Sequence, residues 1–207
     1  MQFNKNVVFN FIAVVLVLAL SGAANNATAD NILTNPGFET GDLTGWVVSG
    51  QSGSSDVIME SGDNGPSVPG TYNALMNNYA EAMGLTLKQT TPVGSAIAGE
   101  VMYAYDLKLD TADVGGVLFV EIFAEQEGAG VIGGSGLMGP LWPWEWTHYE
   151  GSFEAPAGTD FLTIQIMANT GAAQGTNCVA HADNISLDQG VVAVEPSNWS
   201  SVKALYR

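Results

Sequence analysis

The sequence predicts an all-β protein, an antiparallel sandwich or barrel. Three observations carry that reading. Apolar and polar residues alternate with a period of two, most plainly in Val101–Leu109, where Val101, Tyr103, Tyr105, Leu107 and Leu109 interleave with Met102, Ala104, Asp106 and Lys108. Turns rich in glycine and proline separate such stretches at short intervals. Before residue 190 no segment carries a convincing helical period.

In chain order, residues 1–29 read as a removable signal peptide. Lys5 supplies a weak positive start, Val7–Ala19 a short apolar run, and Ala27-Thr28-Ala29 a small-x-small cleavage site. The mature chain is then expected to begin at Asp30 and to be secreted, extracellular or at the cell surface. No later stretch is long and apolar enough to span a bilayer as a helix, so no membrane insertion of the mature chain is expected. Ile32-Leu33 and Val57–Glu60 read as strands, with Val47-Val48 and a polar run, Ser49–Ser55, between them. Ser61–Gly70, with two prolines, three glycines and Asp63-Asn64-Gly65, reads as a loop. Tyr72–Met76 and Leu85–Thr90 are further strands, with Asn77–Gly84 ambiguous between them. Val117–Ala124 is apolar on both parities and belongs in the interior of a sheet. Phe161–Ala168 alternates again, and Ile185 and Leu187 mark a last strand after Asp183. A single domain of residues 30–189 is the result.

Residues 190–207 form a linker and C-terminal tail. Val191–Val194 is apolar, and Pro196-Ser197 can open a short helix with Trp199, Val202, Leu205 and Tyr206 on one face. The tail suits attachment to a cell surface or packing on the sandwich. Pro-Glu-Pro sorting tails are similar at Glu195-Pro196-Ser197, but the apolar span and arginine cluster are missing.

Beyond residue 29, 21 acidic residues face only Lys88, Lys108, Lys203 and Arg207, a net of 17 negative charges. Such a surface excludes nucleic acid as a partner and disfavours anionic membranes. It would draw divalent cations, or it serves solubility. Cys178 is the only cysteine, so no internal disulfide forms, and a buried thiol is expected.

Two stretches hold candidate binding residues. In Asn31–Trp46, Asn35-Pro36-Gly37 is strong turn chemistry, Phe38 looks buried, and Glu39 is a carboxylate held against the turn. Outward carbonyls beside a carboxylate suit a hard cation, although on these residues alone a solvated Glu39 on a polar hairpin is the favoured reading. In Gly128–Trp146, six glycines precede Leu-Trp-Pro-Trp-Glu-Trp. Trp142 and Trp144 could offer indole faces for a sugar to stack on, or cap an edge of the sandwich. Tyr72, Tyr79, Tyr103 and Tyr105 are lesser candidates, the last two facing the core by alternation.

Read together, these pieces resemble carbohydrate-binding modules of families four, nine and twenty-two. Asn35-Pro36-Gly37-Phe38-Glu39 with Gly41 and Gly45-Trp46 is similar to the family's opening signature. Leu87-Lys88-Gln89 is similar to its strand ending in glutamine. Trp146-Thr147, Phe153, Ala155-Pro156-Ala157-Gly158-Thr159 and Leu162-Thr163-Ile164 are similar to its tryptophan, strand, turn and strand. Asp183-Asn184-Ile185-Ser186-Leu187 is similar to its closing strand. The resemblance spans about residues 31–188. It implies a two-sheet antiparallel jelly-roll β-sandwich, related to galactose-binding-like domains, and a structural calcium where the first and last strands meet. It pairs Glu39 with Asp183 as metal ligands, with carbonyls near Asn35 and Gly37 and groups of the Ser61–Gly70 loop as weaker ones. His181, at the parity of Asp183, is expected in the core or behind the ligands, since imidazole is a poor calcium ligand. A polysaccharide or glycan becomes the expected partner, bound through Trp142, Trp144 and Tyr72, while Trp146 matches the family's structural tryptophan.

No nucleophile elbow, His-Glu-x-x-His or phosphate loop occurs. Glu145 and Glu150 are the easiest carboxylates to draw as a glycosidase pair, but nothing else singles them out. A non-catalytic glycan-binding module is therefore expected. A surface or matrix protein that keeps the sandwich without binding sugar is the second reading, and a divergent hydrolase the third.

Overall fold

A computed structural model describes residues 30–52, 55–62 and 65–190. The leader, Asp63-Asn64 and the tail, and with them the expectations for cleavage, tail helix and tail attachment, lie outside the described residues. Those residues form strands and turns without a helix.

Eleven strands run as β1 (Val47–Ser49), β2 (Ser55–Ser61), β3 (Tyr72–Asn78), β4 (Gly84–Thr90), β5 (Gly99–Ala112), β6 (Val117–Gln126), β7 (Gly130–Gly134), β8 (Met138–Leu141), β9 (Thr147–Ala155), β10 (Phe161–Asn169) and β11 (Cys178–Gln189). One sheet has the order β1-β4-β10-β6-β7, with β8 also on β6; the other has the order β2-β3-β11-β5-β9. Every named pairing is antiparallel. The expected two-sheet antiparallel sandwich is what the chain builds.

The core lies between the sheets and obeys the alternation. Val101, Tyr105, Leu107 and Leu109 of β5 meet Leu118, Val120 and Ile122 of β6 and Leu162, Ile164 and Ile166 of β10, all buried. Burying each such side chain contributes roughly 1.5–3 kcal/mol, which offsets the ordering of the chain. β6 lies inside its sheet as its apolar composition requires, flanked by β10 and by β7 and β8.

Two expectations need correction, and one stretch holds strands that periodicity did not announce. Ile32-Leu33 is not a strand of a sheet: Asn31 makes an isolated bridge to Asp188, and Ile32 donates to the Leu187 carbonyl. The last strand begins at Cys178, well before Asp183. The glycine-rich stretch contains β7 and β8, which carry no apolar periodicity because glycine offers no side chain to alternate.

Two bulges shape the β5–β11 ladder. The register slips once between Val179 and Ala180 and back again between Asp183 and Ser186. The first slip leaves Asp110 as the extra residue on β5, and the second leaves an extra residue on β11 at Asn184, which has a φ of 48°. Alternation would have hidden the neighbour of Asp183 in the core. The bulge instead turns Asp183 and Asn184 to the same, outer face of the sheet.

Candidate functional site

The opening segment ties the two sheets together. The Ile185 N–H donates to the Pro36 carbonyl, and the Asn31 side chain donates to Ile185 O and accepts from Leu187 N, all on β11. On the opposite sheet the Gln89 amide of β4 accepts from the Thr34 N–H and donates to the Thr34 carbonyl. Phe38 is fully buried and packs 5.3 Å from the Trp46 ring. Asn35 and Phe38 both adopt positive φ, near 50° and 57°, so the turn is built around backbone that L-residues rarely take.

This turn delivers Gly37 and Glu39 to the bulge of β11. A Cβ on Gly37 would stand 3.6 Å from Asp183 Oδ1, 3.7 Å from Asn184 Oδ1 and 3.8 Å from Glu39 Cγ. Glu39 Oε1 accepts from the N–H groups of Thr71 and Tyr72, and these two donors hold its carboxyl below the usual range. Asp183 is 1% exposed. Its Oδ2 accepts from Gly65 N at 2.9 Å and its Oδ1 from Asn184 N at 2.7 Å. Burial pushes its carboxyl up to about 6 against those two bonds, and the charges of Asp106 and Glu39 push the same way.

Behind Asp183 lies a second buried carboxylate. Asp106 Oδ1 faces His148 Nδ1 at 2.7 Å, while its Oδ2 accepts from Ser67 N, Ser67 Oγ and Asn184 Nδ2. Gly65 passes so close that a Cβ there would meet Asp106 Oδ2 at 2.4 Å. The loop over this face is thus sewn to β5 and β11 through Asp106 and Asp183. Gly37 comes up against Asp183, and Glu39 lies close enough for its charge to act on that carboxyl. The Asn35 carbonyl is differently engaged, accepting from both Phe38 N and the Trp46 indole N–H.

The donors converging here are oxygens, which match a hard cation in kind. Among the described residues no three carboxylate, imidazole or thiol side chains gather closely enough to hold a metal by themselves. A cation at this place would therefore also need amide or carbonyl oxygens, and Asn184 Oδ1 is one at hand.

Farther along the same face, His181 is 3% exposed. Its Nδ1 meets Asn73 Oδ1 at 2.8 Å and Glu60 Oε2 at 3.1 Å, and its Nε2 meets Asp110 Oδ2 at 2.7 Å. The Trp146 ring covers it at 5.8 Å. His181 is itself buried but sits under the part-exposed carboxylates of Glu60 and Asp110, in a polar patch separate from the Gly37 cluster.

The expected sugar-binding residues separate. Trp142 and Trp144 are 50% and 55% exposed, on the connection between β8 and β9. Pro143 between them is buried, and its carbonyl accepts from Leu109 N, so the two indoles flank an anchored residue. The Trp142 ring is itself fixed by its N–H on the Gly116 carbonyl at 2.9 Å. Tyr72 is elsewhere. It opens β3, half-buried, with its ring over Gly41. Asn78 and Ala112 both pair with Cys178, so Tyr72 stands six residues, roughly 20 Å, from the level where β5 ends. Tyr72 and the tryptophans cannot share one pyranose.

No protein-family model matches the chain, and no curated protein sequence does. Solved structures do. The enzymatically active domain of tailspike protein 4 of bacteriophage CBA120 matches with a TM-score of 0.61 at 10% identity, over 76% of this chain and 21% of the tailspike chain. The module TmCBM61, solved with β-1,4-galactotriose, matches with a TM-score of 0.53 at 17% identity, over 78% of this chain and 99% of its own. The fold is that of β-sandwich carbohydrate-binding modules. A second such module, family 16 carbohydrate-binding module-2, matches with a TM-score of 0.52 at 15% identity, over 77% of this chain and all of its own. The chain spans about a fifth of the tailspike but essentially the whole of each module. At these identities the carbohydrate-binding-module fold is what is shared.

Sequence reasoning missed Asp106, His148 and Asn184, and reached Ser67 only as part of the Ser61–Gly70 loop. Alternation marks Asp106 as solvent-facing, yet it is fully buried, with Ser67, His148 and Asn184 around its carboxyl. The signal that could have found Asn184 was its place beside Asp183 in a strand whose apolar parity changes between Ala182 and Ile185.

Proposed function

We propose that this chain is a secreted, non-catalytic carbohydrate-binding module of the family four, nine and twenty-two type, presenting Trp142 and Trp144 to a poly- or oligosaccharide. The observation that carries this reading is the half-exposed pair of indoles, Trp142 pinned through its N–H, on an anchored Trp-Pro-Trp turn at one end of a carbohydrate-binding-module fold. Aromatic faces held in place before binding lose little entropy on stacking against a pyranose ring, so each contributes to affinity at low cost. Tyr72 takes no part in that platform and serves instead to pack the Glu39 turn.

A structural calcium completes the reading. Glu39, Asp183 and the Asn184 amide oxygen would hold it beside Gly37, with Asn35 left to Trp46. Calcium bound there would neutralise carboxylates that otherwise repel one another. The protein itself positions the oxygens through the bulge of β11 and the positive-φ turn.

The test is a glycan array on the full-length secreted form with calcium present, followed by affinity electrophoresis on the best ligand. Trp142→Ala and Trp144→Ala should each weaken retention at least tenfold and move the melting temperature by only a few degrees, as expected for exposed side chains. If no glycan is retained by the unmodified protein, the sandwich serves as a surface or matrix protein instead. If either substitution unfolds the domain, the indoles cap the sandwich.

A further inference from the structure

The outer face of the β2-β3-β11-β5-β9 sheet carries a continuous trough unrelated to the tryptophan pair. Its larger part, a groove of about 490 Å³, is lined by Glu100, Met102 and Ala104 of β5, Glu150 of β9, and Ser186 and Asp188 of β11. Glu100 and Met102 also line a smaller groove of about 210 Å³, which continues past Ile97 and Ala98 to Gly190. The smaller groove is mostly apolar, with Ile97 and Met102 both about half exposed beside Glu100 and Gln189. The larger holds three carboxylates.

The described chain ends inside this trough. β11 pairs with β5 up to Gln189 opposite Val101. There the ladder is blocked, because the Gln189 side-chain amide takes the Ile97 N–H at 2.9 Å and the Ile97 carbonyl at 2.7 Å. Both backbone groups of Ile97 are thereby satisfied, and Gly190, the last described residue, lines the smaller groove.

The residues after Gly190 match the trough in order. Val191-Val192-Ala193-Val194 comes first, beside Ile97 and Met102, and Lys203 and Arg207 come later. These are two of only four cations in residues 30–207. From Ile97 to Ala104 the trough runs seven residues of strand, roughly 23 Å, which residues 191–207 can cover whether extended or partly coiled. We propose that residues 191–207 fold back as an intramolecular occupant of this trough, with Val191–Val194 on Ile97 and Met102 and with Lys203 and Arg207 over Glu100, Glu150 and Asp188. The occupant is the chain's own tail, because continuity raises its effective concentration far above that of a separate partner.

Zero-length carbodiimide cross-linking of the full-length secreted form, read by mass spectrometry, tests this. Lys203 should join Glu100, Glu150 or Asp188, with a yield independent of protein concentration. Met102 oxidation by dilute peroxide gives a second readout. It should be slow in the unmodified chain and at least fivefold faster after Lys203→Glu with Arg207→Glu. Links from Lys203 that reach only Glu195, or that fall on no trough carboxylate, would overturn the proposal. So would links that form only between differently labelled copies, which would make the trough an interface between molecules. An oxidation rate unchanged by the charge reversal would also overturn it.

Discussion

Asp183 is held by two backbone N–H groups, yet the strongest charges acting on it, Asp106 and Glu39, share its sign. Its folded carboxyl titrates at about 6, against 3.8 for a free aspartate. The folded state therefore binds more protons than the unfolded state between those values, so stability falls as pH rises through them. Below about pH 4 both states are protonated and nothing is lost. Above about pH 6 the full cost, about 3 kcal/mol, is in place. Glu39 has the opposite sign. Its lowered value contributes stability above the free carboxyl range that is lost as pH falls. Asp183→Asn should isolate the first effect. In the presence of a chelator, its stability relative to the unmodified protein should rise by about 2–3 kcal/mol between pH 4 and 6.5. A constant offset is expected, because Asn cannot accept from both Gly65 and Asn184. Denaturant melts across that pH range check this, and a flat difference would show that Asp183 ionises as freely in the fold as outside it.

At the scale of elements, the opening segment works as a strap held by side chains in place of a ladder. Gln89 is 3% exposed, and its amide pairs with both backbone groups of Thr34, tying residue 34 to β4. Gln89→Ala would strand a donor and an acceptor, at a cost of about 1–3 kcal/mol. The Thr34 amide should then exchange with deuterium much faster while the β5 and β6 amides keep their protection. Uniform loss of protection would mean the strap is integral to the core. The same contrast explains which elements the sequence announces. β5 and β10 are legible because one face of each is apolar without interruption. β7 and β8 are not, since glycine leaves the period unwritten. The start of β11 is hidden because His181 and Asp183 are buried on its outer face, and because the bulge at Asn184 changes the apolar parity midway. The resemblance of the Asn-Pro-Gly-Phe-Glu turn and the Asp183 strand to a family located Glu39, Gly37 and Asp183. Asp106 escaped because its burial depends on a loop that pairs with it only through space, and His148 because its exposed ring joins the cluster only by facing Asp106.

For the whole molecule, the consequence is that both ends of the domain meet. Asn31 bridges Asp188, Ile32 donates to Leu187, and Gly37 and Glu39 sit against the Asp183 bulge. Contacts between positions so far apart in sequence form only once the chain has folded, so they stabilise the native state and must first offset the entropy of closing that long loop. The strap makes this closure by hydrogen bonds, and the proposed calcium would add to it while relieving the repulsion around Asp183. At 100 to 1,000 times its dissociation constant, an ion bound only by the folded state adds about 2.7–4.1 kcal/mol. For a domain of this size that corresponds to roughly 5–15 °C in melting temperature. Chelation should therefore lower the melting temperature by about that amount, and added calcium should restore it. Glu39→Ala and Asp183→Ala should each erase the response. Asn35→Ala should preserve it, since the Asn35 side chain bonds Thr40 and Asp42 and its carbonyl is taken by Trp46. A melting curve that ignores both chelator and calcium would leave the strap as the sole closure of the domain.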